Sequence, residues 1–292
     1  MKTVLKEIGI QLDQNQFPVV YNGGIVKLSK ADVDLSTMGE ESHNERERQQ
    51  ETQIKPWERP QRLQWKAFKP WAASETAQIV STELRDHYEA HLDEVRNAYP
   101  ATKIWHQEKG MWLLTESSII SGLGKKATFL IAIPYSPLLV PRSWAFWTTK
   151  ISNNWIGPRH TNFPDGSICA FEPKDKTWKI GDSITALIDL YTLWALRHLH
   201  LKALGRWPGY QSVHTPHERL SELKDAEFCG CENSNRLYSE CCKPSDLQMD
   251  QMPDSNNFWQ LMTGQKARKP PSCIVRFAWK REKPPLIENV LL

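Results

Sequence analysis

Four stretches, 102–106, 111–120, 128–133 and 143–151, are rich in Ile, Thr, Trp and Phe, and the connections between them are short. Lys109-Gly110, Gly122-Leu123-Gly124 and a turn bounded by prolines supply those connections. A parallel pair of strands needs a crossover of a dozen or more residues, so the spacing predicts an antiparallel meander of four strands. Ahead of it, Ala77, Val80, Leu84, Tyr88, His91 or Leu92, Val95 and Tyr99 recur at three- and four-residue steps behind Ser74 as a cap, which predicts a helix over 75–99 ended by Pro100. Behind it, Ile184, Leu187, Ile188, Tyr191, Trp194 and Leu201 predict a helix over 183–204, with Asp182 as its cap and Gly205 as its stop. A helix, a four-stranded antiparallel meander and a further helix make an α+β domain.

That domain takes residues 61–212. Residues 1–60 hold one short apolar segment, Phe17-Pro18-Val19-Val20-Tyr21, and then a polar run from Glu40 to Gln50 that cannot bury enough apolar area to offset chain entropy. They read as a flexible N-terminal arm. Trp57, Trp65 and Trp71, with Pro56, Pro60 and Pro70 between them, mark the entry to the folded part. No apolar run reaches the ~18 residues of a membrane span; the best, from Phe129 to Val140, is broken by Pro134 and Pro137. Lys2, Lys6 and Glu7 leave no room for a signal-peptide core. The expectation is a soluble, cytoplasmic protein with no membrane partner.

Between the last strand and the second helix runs Gly157-Pro158-Arg159-His160-Thr161-Asn162-Phe163-Pro164-Asp165-Gly166-Ser167-Ile168-Cys169. Its prolines and Gly166 exclude a helix and predict a structured loop. A thiol can carry an acyl group as a thioester, and an amide N–H can stabilise the oxyanion formed when that thioester is attacked. From the residues alone, Cys169 reads equally as a small buried hydrophobe, and His160 as a structural hydrogen-bonding residue.

The order of these elements resembles the ubiquitin-conjugating enzymes, in particular their divergent bacterial branch. That family carries a His-Pro-Asn element, then Gly-x-Ile-Cys, then a Trp leading into a helix; here stand His160-Thr161-Asn162, Gly166-Ser167-Ile168-Cys169 and Trp178. Pro134-Tyr135-Ser136-Pro137 through Pro141 resembles the family's proline-rich turn, and Ala145 to Ile151 its fourth strand. The likeness covers roughly residues 74–205, in family order. Three departures stand out: Thr161 replaces the middle proline, Asn162 lies seven residues before Cys169 where about eight is usual, and an insertion occupies 153–158. The resemblance implies a ubiquitin-conjugating-enzyme-like domain in which Cys169 accepts a ubiquitin-like modifier from an activating enzyme and passes it to a lysine of a protein substrate. It implies that Asn162 stabilises the oxyanion or orders the loop, that His160 braces the loop, and that Trp178 packs. Asp165 and Glu172 are candidates to orient or deprotonate the incoming amine. Relatives of this kind are associated with antiphage defence operons in bacteria.

Residues 213–292 read as a zinc-binding module and a basic tail. Of six cysteines, Cys229, Cys231, Cys241 and Cys242 crowd into fourteen positions, whereas a secreted disulfide framework would scatter its pairs. Four thiolates satisfy a closed tetrahedral structural zinc, and the pattern, with Ser234 and Tyr238 inside it, resembles the SEC-C type of zinc motif. His214 and His217 flank Pro216 and lack further ligands for a second metal. Alternation over Ser272–Lys280 predicts a strand that packs back onto the main domain or offers an edge. Lys266, Arg268, Lys269, Arg276, Lys280, Arg281 and Lys283 make the tail basic, and Phe277 and Trp279 interleave with them. A net charge of +3 and the lack of a nucleic-acid motif argue against nucleic acid as the partner. Two alternatives to the enzyme remain at this point: an inactive adaptor of the same fold, and a binding protein built around the zinc module.

Overall fold

The computed structural model describes residues 19–21, 23–26, 80–117, 126–148, 153–171, 177–208, 215–229, 231, 236–262 and 268–291. The polar run Glu40–Gln50, the tryptophans at 57, 65 and 71, the cap at Ser74, and Glu172, His214, Ser234 and Lys266 lie outside the described residues.

Five antiparallel strands form one sheet in sequence order: β3 (Lys103–Gln107), β4 (Gly110–Glu116), β5 (Ala127–Pro134), β6 (Arg142–Thr148) and β7 (Asn153–Trp155). Before them come a hairpin, β1 (Val19–Tyr21) and β2 (Gly24–Val26), and two helices, α1 (Thr82–Ala90) and α2 (Leu92–Ala98). After them come α3 (Ile184–Leu204), α4 (Pro216–Glu222), α5 (Lys243–Asp246), α6 (Met252–Leu261) and α7 (Ser272–Lys280). The meander therefore has five strands and not four. The fifth comes from the insertion, where Asn153 to Trp155 fold back on Thr148 to Phe146; three residues are too few for alternation to be read.

Successive residues of a strand point to opposite faces, and here both faces are apolar. Met111, Leu113, Phe129, Ile131, Ile133 and Ala145 join a core with Tyr88, Leu92, Val95 and Tyr99 of the first helices and with Ile184, Leu187, Ile188 and Tyr191 of α3. Trp112, Leu114, Leu130, Ala132, Trp144 and Phe146 join a second core on the other face. Of the apolar stripe expected over 75–99, Tyr88, Leu92, Val95 and Tyr99 are buried, Val80 is exposed and Ala77 lies outside the described residues; the helix begins at Thr82, is interrupted at His91, and is capped by Ser81, whose hydroxyl accepts from Leu84 N–H. The cap of α3 is Ser183, one residue beyond the expected Asp182, and the helix ends at Gly205 in the left-handed conformation (φ 77°). This is the conformation for which a terminal glycine is favoured. Part of the N-terminal arm is ordered: Gly23 N–H and the Tyr99 hydroxyl both donate to Asp189 Oδ1 on α3, pinning the first hairpin to the domain.

The segment Ser272–Lys280 is a helix, which corrects the expected strand. Cys273, Val275, Phe277 and Trp279 alternate, yet Ile274, Phe277 and Ala278 also recur at helical spacing, and it is these three that are buried. Pro270 and Pro271 stand just ahead of the first turn, where a missing N–H costs nothing. The wide apolar face of the sheet selects the helical stripe. Phe277 meets Trp105 and Trp112 edge-on at 5.4 and 5.5 Å. Pro285 O accepts from Trp112 Nε1, and Ile287 N–H donates to Gln107 Oε1, so the segment beyond α7 is tied to β3 and β4. Phe277→Ala is expected to cost about 3–5 kcal/mol, read as a lower denaturation midpoint; an unchanged midpoint would show that α7 contributes nothing to the fold.

Candidate thiol loop and metal centre

The loop after β7 folds back on itself as a narrow antiparallel turn. Thr161 and Ile168 form a bridge. Cys169 N–H donates to His160 O at 3.0 Å, Asn162 N–H to Ser167 O at 2.7 Å, and Gly166 N–H to Asn162 O at 3.0 Å. Ile168 N–H reaches Ser143 O on β6 at 2.7 Å, which fixes the turn against the sheet. Gly166 is required at its position: φ is +65°, and a Cβ there would meet the Trp155 ring at 2.7 Å. The structure thus brings His160, Asn162 and Cys169 into one turn, with the Cys169 thiol half-buried and not in a disulfide.

Each neighbour has a definite task. His160 adopts φ 48°, a left-handed conformation uncommon for a residue with a side chain. Its carbonyl accepts from both Cys169 N–H and Trp194 Nε1, and its ring packs on Trp207 at 4.3 Å. The amide nitrogen of Asn162 donates to Ser167 Oγ and to Ile168 O, each at 3.1 Å, so this side chain ties the two arms of the turn together. Asp165 is engaged within the loop: one oxygen pairs with Arg142 and the other accepts from Ser167 N–H and Oγ. Trp178 is buried and donates to Ser183 O at the start of α3. Tyr191 of α3 is fully enclosed; burial raises its hydroxyl above the ordinary range, and the nearby Cys169 raises it further.

Two arginines that sequence reasoning passed over grip this loop. Arg159 is 4% exposed and donates from Nη2 to Glu227 Oε2 at 2.9 Å and from Nη1 to Glu222 O. Arg268 donates from Nη1 to Thr161 O at 2.7 Å, pairs with Glu222 and lies 4.1 Å over the Phe163 ring. Burial pushes Arg268 down to about 10, although the charges of Glu218 and Cys169 pull the other way. Partners 68 and 107 positions away leave no local signal.

The cysteine cluster assembles from two knuckles. Residues 227–229 pair with 236–238 through Cys229 N–H to Arg236 O, Tyr238 N–H to Glu227 O and the Phe228–Leu237 bridge. A short 3₁₀ turn, Tyr238–Glu240, then delivers Cys241 and Cys242. The four sulfurs lie within 4.8 Å of one another, and all four thiols are outside any disulfide. Such a set can hold a metal ion. Buried Asp246 braces it by accepting from Arg219 and from the Tyr238 hydroxyl. Burial and hydrogen bonding to Cys231 push Cys241 up to about 11. His217 packs edge-on against Phe258 of α6 at 5.2 Å.

The chain matches no family model, no curated protein and no solved structure. None of the described helices is long and apolar enough to cross a membrane.

Proposed function

We propose that the protein is a conjugating enzyme for a ubiquitin-like modifier, carrying the modifier's C-terminus as a thioester on Cys169. The observation that supports it best is the bond from Cys169 N–H to His160 O, which makes neighbours of two motif elements separated in sequence. In the first step the Cys169 thiolate attacks the thioester carbonyl of the modifier on its activating enzyme, whose own thiolate leaves. In the second, a substrate lysine amine attacks the Cys169 thioester; an isopeptide bond forms, the amine gives up a proton to solvent or base, and the Cys169 thiolate departs. Asn162 orders the loop; turning its amide outward would make it an oxyanion donor. With both amide contacts kept inside the turn, the second reading, an inactive adaptor of the same fold, has a specific point in its favour.

The cluster is assigned to structural zinc. Zinc–sulfur bonds of roughly 2.3 Å in a tetrahedron place sulfurs about 3.8 Å apart, and Cys231–Cys241 at 3.4 Å and Cys241–Cys242 at 4.0 Å bracket that. Four protein ligands close the site, so the ion supplies scaffolding and no open position for substrate. Cytoplasmic placement belongs to the same reading and rests on the clustered thiols and the sequence's lack of an apolar span, whereas bacterial antiphage defence rests on the resemblance alone.

A gel assay separates the readings. With a ubiquitin-like protein and its activating enzyme supplied, the wild type should form an adduct that thiol reductant removes, and Cys169→Ser an adduct that resists it. Absence of any adduct on the folded wild type, with the activating enzyme itself charged, would leave the adaptor.

A further inference from the structure

We propose that the cysteine-cluster module positions the Cys169 loop, with Arg159 and Arg268 as the two ties, so that filling the cluster with metal fixes the loop's geometry. The path is short and buried. Cys229 follows Glu227 by two residues, and Glu227 O already accepts Tyr238 N–H, the bond that joins the two knuckles. The Glu227 carboxylate is fully buried and has three further donors: Arg159 Nη2 at 2.9 Å, Trp207 N–H at 2.8 Å and Lys224 N–H at 2.8 Å. Arg159 immediately precedes His160, the residue whose carbonyl receives the Cys169 N–H. Along a second path, Arg268 takes Thr161 O and pairs with Glu222 at the end of α4. A third contact is apolar: Phe163 of the loop meets Phe258 of α6 edge-on at 5.2 Å, and Phe258 in turn packs on His217 of α4.

A buried ion pair holds position strongly because removing one partner strands the other charge out of water. The cluster's own apolar support is slight: Leu223, Cys229 and Tyr238 are buried, with Leu220 and the other three cysteines against them. Its geometry therefore depends on the ion. When the ion leaves, residues 227–229 lose their register, Glu227 leaves Arg159, and the buried guanidinium must find water by opening the turn. The tie holds whatever Cys169 carries; its use in presenting an acyl-carrying thiol rests on the function proposed above.

Hydrogen exchange on the full chain tests this by following the amides of Asn162, Gly166, Ile168 and Cys169, together with the peptide-resolved rate of Cys169 alkylation by iodoacetamide. Zinc-loaded wild type is compared with chelator-treated wild type and with zinc-loaded Glu227→Gln. Both changes should speed exchange at the loop amides by about tenfold or more while the amides of β5 stay protected. Combining them should add little. Arg159→Lys, which keeps the charge opposite Glu227, should recover part of the protection that Arg159→Met loses. Should Glu227→Gln fail to fold, Arg268→Gln frees Thr161 O and is read at the same amides. Loop exchange that ignores both the metal and the variants, with faster exchange confined to residues 215–250, would overturn the proposal. A protein that makes no thioester but shows a metal-dependent loop keeps the tie and loses the enzyme; one that makes thioester with a metal-independent loop does the reverse.

Discussion

Removing the metal from the cysteine cluster should unfold residues 215–250 while the five-stranded sheet remains folded. The sheet has an apolar core on each face, and the buried members of both cores lie outside residues 215–250. Among its described residues the module has one small apolar cluster, built on Leu223, Cys229 and Tyr238, slight support against the entropy of ordering the chain. Structural zinc contributes about 10–16 kcal/mol in small zinc modules near neutral pH, which would make the ion the largest single stabilising contribution to this module. Cys241→Ser should have nearly the effect of a chelator, since three thiolates leave the tetrahedron open. Because the ligands must lose protons to bind, affinity rises with pH and the ion is lost as the solution is acidified. Exchange mass spectrometry with a zinc-release dye measures both events. Release of zinc without faster exchange in 215–250 would mean that the ion is incidental to the module's fold.

A second large effect is expected in acid and arises at α3. His198 lies in the core, with Trp194 4.2 Å and Trp207 5.0 Å from its ring, and donates from Nε2 to Arg159 O at 2.8 Å. Burial holds its imidazole down to about 3, against the hydrogen bond to Arg159, and burial also lowers His200. The unfolded chain takes up these protons near pH 6.5, well before the folded one does. The stability due to the neutral His198 ring is therefore complete above about pH 6.5 and drains away as pH falls toward 3, at about one proton's linkage per pH unit, and His200 contributes with the same sign. Thermal midpoints between pH 7.5 and 4.5 should decline, and His198→Gln, which keeps a donor for Arg159 O, should flatten the decline by about one proton. An identical slope in the variant, with zinc still bound, would assign the acid sensitivity elsewhere.

What the sequence made legible was local. Strands 103–107 through 142–148 were readable because β-rich runs alternate with turns too short for anything but hairpins, and α3 because its apolar residues and Gly205 agree, although the cap falls on Ser183 and not on Asp182. The cysteine cluster was readable because ligand spacing is itself a local constraint. The illegible parts were set by distant packing. Ser272–Lys280 contains both periodicities, and only the apolar sheet face behind Ile274, Phe277 and Ala278 decides between them. The loop's glycine and prolines announced a turn, but the arginines that hold it answer to carboxylates and carbonyls far along the chain, and nothing beside Arg159 or Arg268 names Glu227 or Thr161.

The second face of the sheet is covered by residues 272–291, which are synthesised only after all five strands. A nascent chain that has completed all five strands still presents Trp112, Leu130, Trp144 and Phe146 to the cell as one contiguous oily surface. Until α7 leaves the ribosome that surface is uncovered, and a chain that stops before residue 272 is expected to precipitate more readily than one that includes α7.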